Sequence, residues 1–182
     1  MPSETAPRAD CTFHAVIVAA GQGLRVGGTL PKQYRPLAGV PVLRRTIDQF
    51  RTHPGLGKII VVIGEGQEAL CAQSLAGLPD IQIQHGGNTR QSSVLKGLEA
   101  LSHVMFPSNL VLIHDAARPF VSHSLMDRVI AATVQVGAAI PALPVIDTLK
   151  QSQNGQTIQA TVSRQGLYRA QTPQGFHLET IL

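Results

Sequence analysis

A short apolar run that ends in a glycine-rich, positively charged loop is the feature that most limits the fold of this chain. The segment 16–20, made of Val, Ile and Ala, has the length and branching of a buried strand. Gly21 and Gly23 end it, and Arg25 and Lys32 follow in the same loop. Glycines let backbone N–H groups approach an anion closely. The Arg25 guanidinium can bind a phosphate through two parallel hydrogen bonds, and Lys32 adds a positive charge on a flexible side chain. The stretch therefore favours binding of a nucleoside triphosphate.

Two better-known phosphate-binding loops do not match this stretch. A P-loop needs a glycine, four further residues and then Gly-Lys-Ser/Thr, whereas Lys32 follows Pro31. A dinucleotide-binding loop needs a third glycine where Val26 stands, and an acidic residue about 20 positions further on, where Pro41 and its apolar neighbours stand. A plain strand-to-helix turn with two surface cations remains an alternative interpretation.

Strand and helix patterns alternate along the rest of the chain. Strands are predicted at 16–20, 58–63, 81–85, 110–114 and 138–144. Helices are predicted at 41–50, at 67–75, at 88–101 with Asn88 as its cap, and from Ser122 or Ser124 onward. The strands are apolar throughout, which is typical of an α/β fold with a mainly parallel sheet and helices on both faces. The loops that start at Ala20, Gly86 and Asp115 all leave carboxyl ends of strands, so we expect one crevice to collect them.

The segment 145–166 departs from this alternation. It contains two short strand-like stretches around the polar turn 151–155. Because an isolated hairpin is marginal in water, we expect this β-arm to pack on something else, such as a second subunit.

Composition limits the classes of partner. A chain of 182 residues with 43% hydrophobic content can bury the core of one domain. The formal net charge of +4 is compatible with an anionic ligand, whereas the lack of a Lys/Arg run and the 4% aromatic content weigh against nucleic acid. Residues 1–12 lack the apolar segment of a signal peptide, and no apolar run reaches the ~18 residues of a membrane span. We expect a loose N-terminal tail, no membrane partner and a cytoplasmic location.

The segment 86–93 joins a strand end to a helix start. Free N–H groups at such a position favour an anion or a polar ring edge. Asn88 could act there as a ligand-binding residue or simply as the helix cap. Arg90 and Ser93 are three residues apart on one helix face, so they could reach the same ligand.

The segment 114–119 places an acidic and a basic residue directly after the most apolar strand. Asp115 could contact Mg²⁺ while Arg118 binds an anionic substrate, or the two could form a simple ion pair that completes the turn. His114 is interpreted as a packed or capping residue without chemistry. No Ser/His/Asp arrangement is present, and phosphoryl-type transfer needs none, since it depends on positioning and charge neutralisation.

Six motifs occur together and in order, and their combination resembles the 2-C-methyl-D-erythritol 4-phosphate cytidylyltransferase family of the non-mevalonate isoprenoid pathway. The resemblance covers about residues 13–182. The motifs are Ala19-Ala-Gly-x-Gly-x-Arg25, Pro31-Lys-Gln-Tyr34, Gly86-Gly-x-x-Arg90-x-x-Ser93, His114-Asp-Ala-Ala-Arg-Pro119, Asp147-Thr-x-Lys150 and Thr172-Pro-Gln174.

The resemblance implies a Rossmann-like nucleotidyltransferase fold and a homodimer with a protruding arm. It also implies that CTP and methylerythritol phosphate give CDP-methylerythritol and pyrophosphate with Mg²⁺. Arg25 and Lys32 would be the catalytic cations, and Asp115 would lie beside the metal. The implied nucleotide-binding residues are Ala20, Gly21, Gly23, Gly87, Asn88, Arg90, Ser93 and Ala116. The implied acceptor-binding residues are Arg118, Thr148, Arg164 and Thr172, with Arg164 lent by the partner's arm.

The sequence departs from the family pattern at two places. Family members often carry Asp at the position of Asn88. The family domain also continues for some tens of residues beyond Leu182, so we expect 13–182 to lack its C-terminal part, and some members are fused to the cyclodiphosphate synthase of the same pathway. Two other functions remain open: transfer to another polyol phosphate such as ribitol 5-phosphate, and a nucleotide-binding module without catalysis.

Overall fold

The structure is a computed structural model that describes residues 13–21, 30–102 and 110–182. In chain order, its strands are β1 (Phe13–Ala19), β2 (Pro36–Leu37), β3 (Val40–Pro41), β4 (Leu56–Ile63), β5 (Ile81–His85), β6 (Leu110–Asp115), β7 (Ala138–Ala139), β8 (Ala142–Pro144), β9 (Leu149–Gln151), β10 (Ala160–Val162), β11 (Tyr168–Ala170) and β12 (Gln174–His177). The α-helices are α1 (Val42–Arg51), α2 (Glu68–Ser74), α3 (Arg90–Ser102), α4 (His123–Val136) and α5 (Leu178–Ile181). A 3₁₀ turn spans Lys32–Tyr34.

Six strands form the main sheet in the order β5-β4-β1-β6-β12-β7. The first four run parallel, and β12 runs antiparallel to both of its neighbours. The strand order reverses direction at β1, since β4 lies on one side of it and β6 on the other. Ligands of open α/β sheets bind at such a point, beyond the carboxyl ends of the strands. The predicted α/β class with a mainly parallel sheet is therefore confirmed.

Both faces of the sheet are covered, which explains the continuous apolar runs in the strands. One core contains Ile17 of β1 with Phe50 of α1. The other contains Val16 of β1 with Leu98 of α3. All four side chains are at most 2% exposed. Successive residues of β1 thus enter opposite cores, as the two-residue period of a strand requires.

Helix α3 lies very close to the sheet because of Gly97. A Cβ atom on this residue would lie 2.6 Å from Cγ1 of Val16 and 2.8 Å from Cγ2 of Val62. Contacts under 3 Å cannot be accommodated without movement, so a larger residue would push α3 away from the sheet. This close packing fixes α3, and with it Arg90, relative to the ends of β1 and β4.

The strand predicted at 138–144 is two separate strands. Ala138 and Ala139 pair with β12 in the main sheet, whereas β8 leaves the sheet and pairs with β11. Pro141 lies between them and has no N–H to continue a ladder, although its carbonyl accepts from the Gln171 N–H at 2.8 Å.

The predicted two-stranded excursion at 145–166 is confirmed. β9 and β10 pair antiparallel beyond the β8–β11 pair. The arm and its base expose large apolar side chains, with Ile146, Ile158 and Tyr168 at 67%, 66% and 64% exposure. Its packing against a second subunit stays a prediction.

The structure confirms the predicted cap of α4 and contradicts the predicted cap of α3. Ser122, and not Ser124, caps α4, since its hydroxyl accepts from the Leu125 N–H at 3.3 Å. The prediction that Asn88 caps the third helix is wrong, because Thr89 takes that place. The Thr89 hydroxyl accepts from the Ser92 N–H, and the Ser92 hydroxyl accepts from the Thr89 N–H, both at 3.0 Å. Among the described residues, no helix is long and apolar enough to cross a membrane.

Candidate active site

A cleft of about 620 Å³ opens at the carboxyl ends of β1, β4, β5 and β6. The three loops expected to meet in one crevice all line it. The predicted site residues that line the cleft are Ala20, Gly21, Lys32, Gly87, Asn88, Arg90, Ser93, Asp115 and Ala116. Gly23 and Arg25 fall outside the described residues. The volume lies within the ~300–1,000 Å³ typical of small-ligand pockets.

The turn Lys32–Tyr34 separates a cleft side chain from two core side chains. Lys32 is exposed and lines the cleft, whereas Gln33 and Tyr34 are only 2% and 4% exposed. Within the described part of the chain, the Lys32 side chain makes no hydrogen bond or ion pair, so its ammonium is available to an anionic ligand. The Gln33 amide N–H₂ instead donates to the carbonyl oxygen of Ala19 and, at 2.8 Å, to that of Gly21.

The floor of the cleft is made of closely packed backbone. A Cβ atom on Gly86 would lie 2.7 Å from the Ser93 hydroxyl oxygen and 2.9 Å from Cβ of Ala20. A Cβ atom on Gly64 would lie 3.1 Å from the Ala20 carbonyl oxygen. A side chain at either position would press on Ala20, so the glycines allow the ends of β1, β4 and β5 to lie close together. Their backbone groups are then exposed to a ligand lying across the sheet end.

The loop before α3 leaves Asn88 free for a ligand. Its side chain is exposed, and it makes no hydrogen bond to any described residue, because Thr89 provides the cap. Ser93 is 1% exposed, and its hydroxyl accepts from the Gly87 N–H at 3.1 Å and donates to the Thr89 carbonyl at 2.8 Å. Ser93 therefore shapes the loop, whereas the Arg90 side chain donates hydrogen bonds to Asp115.

Asp115 lies between two arginines. Its Oδ1 accepts from Nε and Nη2 of Arg90 at 3.2 and 3.1 Å, and its Oδ2 accepts from Nε of Arg118 at 3.1 Å. The ion pair between Asp115 and Arg118, one of the two sequence interpretations, is thus present. Arg90 joins it from across the cleft, which local sequence spacing does not indicate.

Residues near the C-terminus hold this arginine pair in place. The Gln171 side-chain oxygen accepts from Nη1 of Arg118, and that of Gln174 accepts from Nη2 of Arg90 at 3.4 Å. Thr172 is 7% exposed, and its hydroxyl accepts from the Asp115 N–H at 3.4 Å. The predicted acceptor-binding residues Arg118 and Thr172 therefore adjoin Asp115.

His114 is a packed residue, as interpreted from the sequence. It is fully buried, its ring lies 5.1 Å from that of Phe50, and its Nε2 lies 3.0 Å from the Arg118 carbonyl oxygen. Burial lowers the pKa of His114 to about 4, outweighing the opposite effects of the Arg118 carbonyl and Asp115. A neutral imidazole donates from Nε2, which leaves Nδ1 without a hydrogen-bond partner among the described residues.

The fit to a divalent cation depends on Asp115. The described residues contain no group of three His, Cys, Asp or Glu side chains that could hold a metal by themselves. Mg²⁺ in nucleotide sites needs fewer protein ligands, since it is held by one or two carboxylates together with substrate phosphates and water. The oxygen chemistry of Asp115 at the cleft fits that requirement.

Thr148 and Arg164 do not line the cleft of their own chain. Both lie on the arm and are exposed, and Arg164 donates from Nη1 to the carbonyl oxygen of Ile146. Their role in acceptor binding stays a prediction.

Sequence reasoning missed several residues that line the cleft. Thr89 and Gln33 lie inside the motifs named above, so their positions were visible although their roles were not. Glu65 and Gln67 follow β4 in a segment with no recognisable motif. Only the fold brings that segment beside the loop after β1.

The sequence of this chain matches one family model and a set of curated proteins. A family model described as 2-C-methyl-D-erythritol 4-phosphate cytidylyltransferase (IspD) matches residues 13–182. Curated proteins named "Bifunctional enzyme IspD/IspF" from Rhodopseudomonas palustris (strain BisA53) and Rhodospirillum rubrum are each 48% identical to it, over 168 and 169 residues. These alignments cover 92% of this chain but 42% and 43% of the relatives, so the chain spans less than half the length of the curated proteins it matches.

Solved structures agree with this result. The structure of 2-C-methyl-D-erythritol 4-phosphate cytidylyltransferase from Francisella tularensis is similar to this chain with a TM-score of 0.76 and 31% identity. That comparison covers 92% of this chain and 74% of the other. The corresponding protein from Thermus thermophilus gives a TM-score of 0.69 and 35% identity, over 92% and 71% of the two chains. The predicted nucleotidyltransferase fold is thereby confirmed.

Proposed function

The chain belongs to the 2-C-methyl-D-erythritol 4-phosphate cytidylyltransferase family, and on that premise we propose that it transfers the cytidylyl group of CTP to 2-C-methyl-D-erythritol 4-phosphate. The products are CDP-methylerythritol and pyrophosphate in isoprenoid biosynthesis. The observation that carries this proposal is the meeting of Lys32, Asn88 and Asp115 in one cleft at the reversal point of the sheet. A free cation, a free amide and a carboxylate there suit a triphosphate, a pyrimidine edge and a metal, respectively.

The nucleotide would lie across the backbone floor of the cleft. Gly87 and Asn88 would present polar groups to cytosine, while Ala116 would line the ribose. Ala20, Gly21 and Gly23 would lie against the phosphates, with Arg90 and Ser93 shaping the opposite wall. Two observations support this placement: the Asn88 side chain has no hydrogen-bond partner among the described residues, and no described atom crowds the Cβ position of Gly21.

The chemistry needs no protein nucleophile. A phosphate oxygen of the acceptor attacks the α-phosphorus of CTP in line and forms a new P–O bond. The bond from the α-phosphorus to the bridging oxygen breaks, and its electron pair leaves with pyrophosphate. Since the attacking phosphate is already anionic, no proton has to be removed from it. Lys32 and Arg25 would stabilise the charge that develops on the transferred and leaving groups.

Asp115 would hold Mg²⁺ together with the phosphates of the nucleotide. The ion would supply charge neutralisation at the triphosphate. Asp115 would then exchange the hydrogen bond from Arg118 for the ion, and Arg118 would become available to the acceptor phosphate. Thr172 would support that subsite through its hydrogen bond to the Asp115 backbone.

The arm would complete the acceptor site of a second copy in a homodimer. Thr148 and Arg164 lie on the arm and do not line their own cleft, and the arm exposes a large apolar surface. We therefore assign 145–166 as the dimerisation arm and Arg164 as a residue that acts on the partner's acceptor. We also propose a cytoplasmic enzyme, with 13–182 as the cytidylyltransferase part of a multifunctional protein like the relatives named above.

The test is a pyrophosphate-release assay with CTP and a panel of acceptors, performed on the natural full-length protein. We expect turnover with 2-C-methyl-D-erythritol 4-phosphate that exceeds turnover with ribitol 5-phosphate and other polyol phosphates. Equal or greater turnover with another polyol phosphate would overturn the acceptor assignment. Binding of CTP by calorimetry without pyrophosphate release from any acceptor would overturn the enzymatic proposal and leave a nucleotide-binding module.

A further inference from the structure

Gln33 forms a buried link between the lysine of the cleft and the loop that follows β1. Its amide N–H₂ donates to the carbonyl oxygen of Ala19, the last residue of β1, and at 2.8 Å to that of Gly21. The side chain is 2% exposed, so water does not compete for these bonds. Lys32 is the preceding residue in the chain, and the 3₁₀ turn holds the two residues in a fixed relation. Two loops that both face the ligand are therefore tied together at one amide.

Gln67 supports this link from the far side. Its Oε1 accepts from the Tyr34 hydroxyl at 3.1 Å and from the Gly64 N–H at 3.3 Å, and it lies 3.4 Å from the Gln33 amide nitrogen. Burial, with smaller contributions from Cys71 and Glu68, raises the pKa of the Tyr34 hydroxyl, which therefore remains a protonated donor. Gln67 is 6% exposed, and it joins the end of β4 to the turn that carries Lys32.

The hydrogen bonds of Gln33 and Gln67 do more than satisfy buried polar atoms, because they connect segments that line the cleft. A glutamine buried for stability alone requires only that its polar atoms find partners. Here both donors of Gln33 are used on the two carbonyls that flank Ala20, which lines the cleft. The acceptor of Gln67 is used on the turn that contains Lys32. Removing either side chain would free the loop after β1, or the lysine, to shift relative to the other.

We propose that Gln33 and Gln67 are positioning residues that set the distance between Lys32 and the phosphate-contacting backbone at Ala20 and Gly21. This inference rests on the proposed function for its catalytic consequence. Charge stabilisation depends on donors held in place before the reaction, and a displacement of about 1 Å can cost about 100-fold in rate. The pair therefore acts on the rate of transfer more than on nucleotide affinity.

The test compares Gln33→Met and Gln67→Met with the natural full-length protein. Methionine has a similar length and no hydrogen-bonding amide. For both variants we expect kcat to fall about 10–100-fold while KM for CTP changes less than about threefold. Gln67→Glu keeps an acceptor oxygen at the same position, so it should recover most of the kcat lost in Gln67→Met.

The matched control is Thr133→Val, which removes a buried hydrogen bond far from the cleft. Thr133 is fully buried, and its hydroxyl donates to the Val129 carbonyl at 2.7 Å. This variant should lower the melting temperature without changing kcat. If the glutamine variants lower the melting temperature equally but keep full kcat, the two residues have a structural role alone and the inference is wrong.

Amide hydrogen exchange separates this inference from the proposed function. Exchange at the strand ends that the two glutamines bond, measured at the Ala19 and Gly64 amides, should become faster in Gln33→Met and Gln67→Met, whatever reaction the protein catalyses. If the natural protein releases no pyrophosphate, the proposed function fails. Unchanged exchange at these two amides would overturn the positioning role, whether or not the proposed function holds. If turnover is normal and the variants change neither kcat nor exchange, the inference alone fails.

Discussion

The guanidinium of Arg90 and the carboxylate of Asp115 form an ion pair, with 3.1 Å between Nη2 and Oδ1, although 25 residues separate them. It joins the first residue of α3 to the last residue of β6, across the mouth of the cleft. Arg118 occupies the other carboxylate oxygen. The side chains of Arg90, Asp115 and Arg118 are 50%, 31% and 44% exposed, and ion pairs exposed to this degree contribute only about 0.2–1 kcal/mol. Charged ligands can therefore compete for all three groups.

Replacing Asp115 tests whether this carboxylate serves the reaction. Asp115→Asn leaves two arginines near each other without the negative charge between them and removes the oxygen proposed to hold Mg²⁺. We expect turnover of CTP and acceptor to fall about 100-fold, as for loss of a charged group that acts on the transition state. The measurement is pyrophosphate release over a range of Mg²⁺ concentrations, and higher Mg²⁺ should recover part of the loss.

Asp80→Asn is the control for that experiment. Asp80 is exposed and has a φ of +63°, a conformation that asparagine also tolerates, so the fold should accept the change. It should leave both turnover and its Mg²⁺ dependence unchanged. Full activity in Asp115→Asn would contradict the assigned role.

Lys32→Ala should remove most of the turnover and leave the fold intact. The ammonium is exposed in the cleft and has no partner among the described residues, so its removal leaves no buried group unpaired. We expect kcat to fall about 10²–10³-fold with a melting temperature close to that of the natural protein. Lys58→Ala is the matched control, since Lys58 is exposed and lies toward the amino end of β4, away from the cleft. Comparable turnover in the two variants would rule out a catalytic lysine at position 32.

The main elements could be predicted because their signals are local. Continuous apolar runs predicted the buried strands, and the strand at 81–85 has the same bounds in the structure. The break at Pro141 was missed although proline is a local signal, because the residues on both sides are equally suited to a strand and pair in different sheets. The Asn88 cap was wrong for a similar reason, because Asn88 and Thr89 are both good caps and the geometry of the loop decides between them.

The site could be predicted only as a set of loops. Strand ends indicated that Ala20, Gly86 and Asp115 would meet, since carboxyl ends of parallel strands lie at one edge of the sheet. The pairing of Arg90 with Asp115 and the contacts of Gln67 have no signal in sequence spacing. They arise from the side-by-side order of β4, β1 and β6, which brings distant segments together.

The stability of the protein should depend on pH through His114. Its folded-state pKa of about 4 lies below the ordinary value of 6.5, so the unfolded chain binds a proton more readily. The stability present above pH 6.5 is then lost as pH falls from 6.5 toward 4, by at most about 3 kcal/mol. Burial, with a smaller effect of Lys58, also lowers the pKa of His14, which adds to the same trend.

Chemical denaturation at about pH 7.5, 6 and 5 would measure this dependence. His114→Phe keeps a ring against Phe50 and removes the titrating group, so the variant should lose less stability on acidification across this range than the natural protein. An undiminished pH dependence in His114→Phe would show that other groups are responsible.

Exposed apolar residues of the arm should control self-association. Ile158 is 66% exposed on the arm, and Val136, at the end of α4, is 73% exposed. If the arm mediates a dimer, Ile158→Asp should shift the protein to monomers in analytical ultracentrifugation, because a charge would be buried in an apolar interface. Val136→Asp changes a side chain of similar exposure outside the arm and should leave the mass unchanged. Dimers in both variants would exclude the arm as the interface.

Mixing two inactive variants tests whether Arg164 serves the partner's site. Arg164→Ala and Lys32→Ala should each be nearly inactive alone. In a mixed dimer, the subunit with intact Lys32 would receive intact Arg164 from the other arm, so one of the two sites would be complete. Because about half of randomly reassociated dimers are mixed, the mixture should recover about a quarter of the natural activity. Arg164 acting within its own chain would give no recovery, since every site would then lack one of the two cations.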